Sequence, residues 1–195
     1  LWKIFEDYGA PFVKEGRLPA GPTPVTISPK TEKLFLTFYK DFQFETSKIF
    51  SQVKQAFYKD SEAEEKAWQL KTEAQPRLFS LFLDGLNTAE TYFYKYSFPE
   101  TFGEIRQEEI QKYGPVIEKY YEFCDQIIGK YLAALKEDEL LVVYSPHGIE
   151  PLPFWKRLVE WILGNAAVSS YHEQAPDGAI FFYGKDIAGG KTSRA

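Results

Sequence analysis

The only imidazoles in the chain are His147 and His172. Both sit in Gly- and Pro-rich surroundings beside apolar runs, not within a periodic apolar face. A neutral imidazole is a good ligand for zinc and similar divalent ions. The two lie twenty-five positions apart and match no short local zinc spacing. Taken alone, each reads as structural or solvated. Two polar clusters follow apolar runs: Asp84-Gly-Leu-Asn87, and Ser145-Pro-His147-Gly148. In open α/β sheets, ligands gather beyond the carboxyl ends of the strands, where such clusters fall. The single cysteine, Cys124, lies in a periodic apolar stretch and reads as core.

The elements that must position these residues show in the hydrophobic pattern. Leu1 to Tyr8 reads as the last turns of a helix, and residues 16–30 as a Pro- and Gly-rich loop. Residues 33–45 leave strand and helix start both open. Ile49, Phe50, Val53 and Phe57 predict one helix over residues 47–58. Ser61 with Glu64 is a capping-box pattern and predicts a second, which Pro76 ends. Residues 77–83 read as a buried strand and residues 88–96 as a helix. Gly114-Pro115 opens a long helix with an apolar face of Ile117, Tyr120, Cys124, Ile127, Tyr131 and Leu135. Residues 140–144 predict a second buried strand, 153–162 a helix closed by Gly164-Asn165, and 179–183 a third strand. This alternation predicts an α/β fold, a mainly parallel sheet flanked by helices. Residues 1–76 form an N-terminal helical and Pro-rich segment, and residues 77–195 the α/β portion.

Composition narrows the function classes. Hydrophobic residues make up 44% of the 195, enough for a core, and the net charge is −5 with no long basic run. A nucleic-acid partner is therefore not expected. No apolar run approaches the ~18 residues of a membrane span, and no signal segment opens the chain, so a soluble protein is expected. Compartment and oligomeric state stay open. The chain has no methionine and starts at Leu1, which is expected of a processed or excised piece.

Several features take plain readings. Lys156 and Arg157 read as a solvated helix face, and Tyr92-Phe-Tyr94 with Tyr96 as core packing. Thr23, Thr26, Ser28 and Thr31 read as loop residues. Gly189-Gly-Lys-Thr192 lacks the earlier glycine, the strand and the helix of a phosphate loop.

Three blocks carry a resemblance. They are Tyr144-Ser-Pro-His-Gly-Ile149, Pro151-Leu-Pro153, and Tyr171-His-Glu-Gln-Ala-Pro-Asp-Gly-Ala-Ile-Phe-Phe-Tyr-Gly184. Together they resemble the C-terminal signature of the alkaline phosphatase superfamily, in particular its type I phosphodiesterase/nucleotide pyrophosphatase branch. Residues 82–96 are similar to the family stretch in which an Asp, and a His four residues later, bind metal. Residues 120–129 are similar to the helix before its Ser-Asp-His-Gly strand. The likeness spans roughly residues 77–190.

The resemblance implies a two-metal phosphoesterase, in which cations neutralise the transferring group and activate the attacking oxygen. It implies a divalent metal, zinc or manganese, and a phosphate-ester ligand. It makes His147 and His172 metal ligands. It also exposes departures. The family Asp of the upstream block falls on Asn87, its His on Thr91, and the Asp of Ser-Asp-His-Gly on Pro146. An amide carbonyl is a poorer ligand than a carboxylate, and proline offers no side-chain donor. Asp84, Glu90 and Glu173 are candidates for a shifted site, with Asn87, Thr91 and Ser145 as further lining, although the acids also fit solvated or capping roles. No nucleophile is assigned.

The expected function is the C-terminal part of a metal-dependent phosphoesterase-like protein, catalytically impaired or inactive as this chain. The alternative is a non-catalytic binding or scaffold module of the same fold. An unrelated α/β domain with chance motif matches is a third reading.

Overall fold

A computed structural model describes residues 27–187 and residue 189. Its first helix, α1 (Pro29–Phe38), starts where Ser28 accepts a hydrogen bond from the Thr31 amide at 3.1 Å. Pro29 at the first helical position has no amide proton to leave unpaired. Ser28 and Thr31 are therefore a cap and a buried helical residue, not loop residues. The ambiguity over residues 33–45 resolves into this helix and a short 3-10 turn, Lys40–Phe42.

Residues 47–75 form one helix instead of two: α2 runs Lys48–Ala74 without a break. The Ser61 hydroxyl does not cap. It donates to the Phe57 carbonyl at 2.8 Å, a back-bond that satisfies it inside a continuing helix. Gln75, at φ 44°, ends the helix in a left-handed turn. Next come α3 (Gly85–Ser97), α4 (Gln107–Tyr113) and α5 (Pro115–Ala133). Of the face read for α5, Ile117, Tyr120, Ile127 and Tyr131 are buried, Cys124 is only half-buried, and Leu135 lies beyond the end of the helix; burial pushes the Cys124 thiol up to about 12.

α1, α2, α3 and α5 share one aromatic core, in which Phe35, Phe50, Phe57, Phe93 and Tyr120 are fully buried. Phe42 stacks on Phe50 at 4.5 Å and Phe57 packs on Phe123 at 4.2 Å. Burying each such ring is worth about 1.5–3 kcal/mol, so this cluster is the main source of the fold's stability. Phe93 and Tyr96 belong to it, as read.

A polar clamp joins α4 to the start of α2. Glu45 accepts from the Ser47 amide at 2.9 Å and pairs with Lys112. Burial alone would raise the Glu45 carboxyl, but the Lys112 ammonium and the Ser47 donors outweigh it and push it down to about 2. A carboxyl lowered on folding adds stability above its unfolded value of 4.5, and that stability is lost as the pH falls toward about 2. Glu45→Gln is expected to cost about 1 kcal/mol near neutral pH. In urea titrations the gap to wild type should close as the pH is lowered through this window.

The sheet differs most from expectation. Residues 77–83 form no strand. Phe79, Leu81 and Leu83 turn onto the core, while Leu78 and Phe82 are 79% and 78% exposed. The alternation of a strand is there, but among the described residues no neighbour pairs with its backbone, and a strand needs one. The strands that do form are β1 (Leu141–His147), β2 (Glu150–Pro151), β3 (Ser170–Tyr171) and β4 (Asp177–Tyr183). β1 pairs with β4, and β2 with β3, both antiparallel. The mainly parallel sheet is thus not present among the described residues. Alternation of strands and helices does not fix direction, and here the chain doubles back through α6 (Phe154–Ile162) as one long interrupted hairpin. Gly164, at φ 82°, closes α6 as read. β1 and β4 are not buried strands either: Tyr144, Phe181 and Tyr183 are more than 60% exposed.

The segment 1–8, most of the loop 16–30, Thr23, Thr26 and residues 190–192 lie outside the described residues. No described helix is long and apolar enough to cross a membrane.

Candidate functional site

The interruption in the hairpin brings the histidines together. His147 ends β1 opposite Asp177, and three residues later Glu150 pairs with Tyr171. Between these pairings one arm carries His147, Gly148 and Ile149, and the other runs from His172 to Pro176. The Gly148 amide donates to the Pro176 carbonyl at 2.8 Å, and the Gln174 amide to the Glu150 carboxylate at 3.0 Å. Gly178 must be glycine, because a Cβ there would lie 2.1 Å from the Ser145 carbonyl.

The two imidazole rings stack with centroids 4.5 Å apart and planes 27° from parallel. His147 Nδ1 lies 3.0 Å from the Gly148 carbonyl. A carbonyl only accepts, so this nitrogen carries the proton, and in the neutral ring Nε2 keeps its lone pair. That is the tautomer a histidine needs to bind metal through Nε2, with its other nitrogen held by a backbone acceptor. Both rings are exposed.

α3 lies beside the pair. Asn87 and Thr91, four apart, share a face of this helix and are half-buried. The Ser169 amide donates to the Thr91 carbonyl at 2.7 Å, and the Ser170 hydroxyl to the Glu90 carbonyl at 2.9 Å. Glu90 is held by the Tyr121 hydroxyl at 2.9 Å. Burial pushes its carboxyl above the usual carboxylate range, against the opposing pull of Tyr121 and of the nearby His147 imidazole.

The remaining candidates have different surroundings. The Ser145 hydroxyl donates to the His147 carbonyl at 3.0 Å. Glu173 pairs with Lys156, whose ammonium also sits 4.2 Å from the centre of the Tyr171 ring. Lys156 is therefore a brace for the His172 arm instead of a solvated face, and Arg157 likewise reaches the Phe102 carbonyl at 3.4 Å. Asp84 is exposed and its side chain caps nothing. Among the described residues, no three or more His, Cys, Asp or Glu side chains are grouped so as to hold a metal ion.

Sequence reasoning passed over Asp60. Its buried carboxylate accepts from the Gly85 amide at 2.9 Å, the Asp84 amide at 3.3 Å and the Tyr120 hydroxyl at 2.9 Å. It supplies from α2 the cap that the start of α3 lacks. Burial raises this carboxyl, and those hydrogen bonds pull it back only in part. Its signal was an acid three residues after Phe57 on an apolar helical stripe. Ser169 and Ser170 had no comparable signal.

Searches of curated proteins and of solved structures found no match. A family model described as type I phosphodiesterase / nucleotide pyrophosphatase matches residues 11–190, nearly the whole chain. With the histidine blocks inside that match and their rings in contact, the chain belongs to the type I phosphodiesterase / nucleotide pyrophosphatase family of the alkaline phosphatase superfamily.

Proposed function

We propose that this chain contributes the imidazole side of a phosphoesterase-type metal centre, and that as it stands it binds a divalent ion and a phosphate ester but turns the ester over poorly or not at all. The observation that carries the reading is the contact of His147 with His172 across twenty-five residues of sequence.

The donor chemistry fits a divalent ion in part. Imidazoles bind metal in the ring plane, at about 2.0–2.1 Å for zinc. The two near-parallel rings, with centroids 4.5 Å apart, are close enough for one ion to take a nitrogen from each. The Gly148 carbonyl engages His147 Nδ1, which leaves Nε2 as the nitrogen to bind. Such an ion, when bound, neutralises phosphate oxygens and lowers the pKa of an attacking oxygen. The Asn87 carbonyl is a neutral donor, and Thr91 and Pro146 bring neither charge nor imidazole. Two negative charges that would hold the ion tightly are replaced by none, which is why turnover is expected to be lost before binding. Residues 77–195 carry this centre, and the preceding residues buttress α3 through Asp60.

The same three substitutions favour the alternative, a binding or scaffold module that keeps the fold without the chemistry. Zinc and manganese calorimetry separates the readings. The unaltered chain is expected to take up about one zinc at micromolar concentration, and His172→Ala to weaken this by about tenfold or more. A chain that stays metal-free at micromolar zinc contradicts the metal centre. Turnover of an aryl phosphodiester by the unaltered chain contradicts the impairment.

A further inference from the structure

Two anchors hold the chain just before His172. Its ladder with β2 is only two residues long. The second anchor is a clasp on α3 made by two serines that are almost fully buried, Ser169 at 1% and Ser170 at 2% exposure. Ser169 holds the Thr91 carbonyl twice, through its amide at 2.7 Å and its hydroxyl at 3.1 Å. The same hydroxyl accepts from the Lys95 amide at 3.4 Å. Thr91 and Lys95 are the carbonyl and amide that an α-helix joins directly, so the Ser169 hydroxyl sits in the helical ladder itself. Ser170 takes the adjoining carbonyl of Glu90 at 2.9 Å. The Ser169 carbonyl in turn accepts from the Leu152 amide at 2.9 Å, which ties the clasp to the arm after His147.

We propose that Ser169 is the positioning residue of the histidine pair: by lodging its hydroxyl between Thr91 and Lys95 of α3, it sets the depth and direction of the chain three residues before His172 and so brings that ring onto His147. Ser170 reinforces the setting. A serine is suited to this task because one small group both donates to a helix carbonyl and accepts from a helix amide. An alanine fits the same space but does neither. The inference concerns assembly of the pair, and its link to function rests on the metal-centre reading above.

With only two histidines, the ring protons of the full chain give few resonances, and a ring-to-ring nuclear Overhauser effect reports the 4.5 Å contact without metal. Ser169→Ala is expected to abolish that effect, leave the far-ultraviolet circular dichroism of the helices unchanged, and weaken zinc binding about tenfold. Ser169→Thr, which keeps the hydroxyl, is expected to retain the ring contact. Should Ser169→Ala lose its helical signal, Ser169→Cys, near in size but weak in hydrogen bonding, carries the same expectation. A ring contact that survives at wild-type strength in the folded Ala or Cys variant overturns the proposal. If the wild-type rings touch and respond to Ser169 but no zinc binds, the positioning role stands and the metal reading fails.

Discussion

Asn87→Asp, Thr91→His and Pro146→Asp, combined in one chain, are expected to tighten zinc binding by at least about a hundredfold, close to 2.7 kcal/mol. The reason is charge and donor number. The unaltered chain offers two neutral imidazoles in contact and one amide carbonyl on the adjoining helix. The triple variant adds two carboxylates and a third imidazole, donors that suit a divalent ion. Asn87 and Thr91 share one face of α3, so an Asp and a His there would project together. Position 146 adjoins His147 at the end of an exposed strand, where an Asp meets no buried core. Calorimetry compares the triple variant with wild type. A triple variant that folds but binds no tighter would mean that α3 and the hairpin do not face a common ion.

Gly85→Ala is expected to lower stability by about 2–4 kcal/mol, the largest single-site loss anticipated. A Cβ at this position would lie 1.7 Å from the Tyr120 hydroxyl oxygen and 2.7 Å from the Asp60 carboxylate. Neither neighbour can yield cheaply. Tyr120 is fully buried, and its hydroxyl donates to the same carboxylate that caps α3. Moving the ring breaks that bond and disturbs Phe57 and Phe123, which pack against it. Because α3 carries Asn87, Thr91 and the clasp on the His172 arm, the variant should also lose metal binding at temperatures where it is still folded. Urea unfolding with an unchanged slope and a lower midpoint is the expected result. A midpoint equal to wild type would show that the Asp60–Tyr120–Gly85 contact is looser than described.

The helical half was readable because its signals are local. Periodic aromatics marked α5, and Gly114-Pro115 marked its start. The break placed between residues 58 and 61 failed because Ser61 has a second use, bonding back to the Phe57 carbonyl within an uninterrupted helix. The sheet was less readable because pairing is a property of distant segments. The apolar run at 77–83 keeps its alternation but finds no partner among the described residues, and β1 with β4 pair antiparallel. Local pattern carries no information on either point. The site divides in the same way. His147 and His172 stand out by residue type and by the resemblance of their flanking blocks, yet only the interrupted hairpin shows why they meet. Asp60 and Ser169 act through backbone groups of α3, which no side-chain motif records.

The most direct test of the account is a zinc titration followed on the ring resonances of both histidines. Two rings that hold one ion must respond as one. The signals of His147 and His172 are expected to move together and saturate at the same zinc concentration, near one equivalent. Signals that move at separate midpoints, or a titration in which only one ring or neither responds, would contradict it.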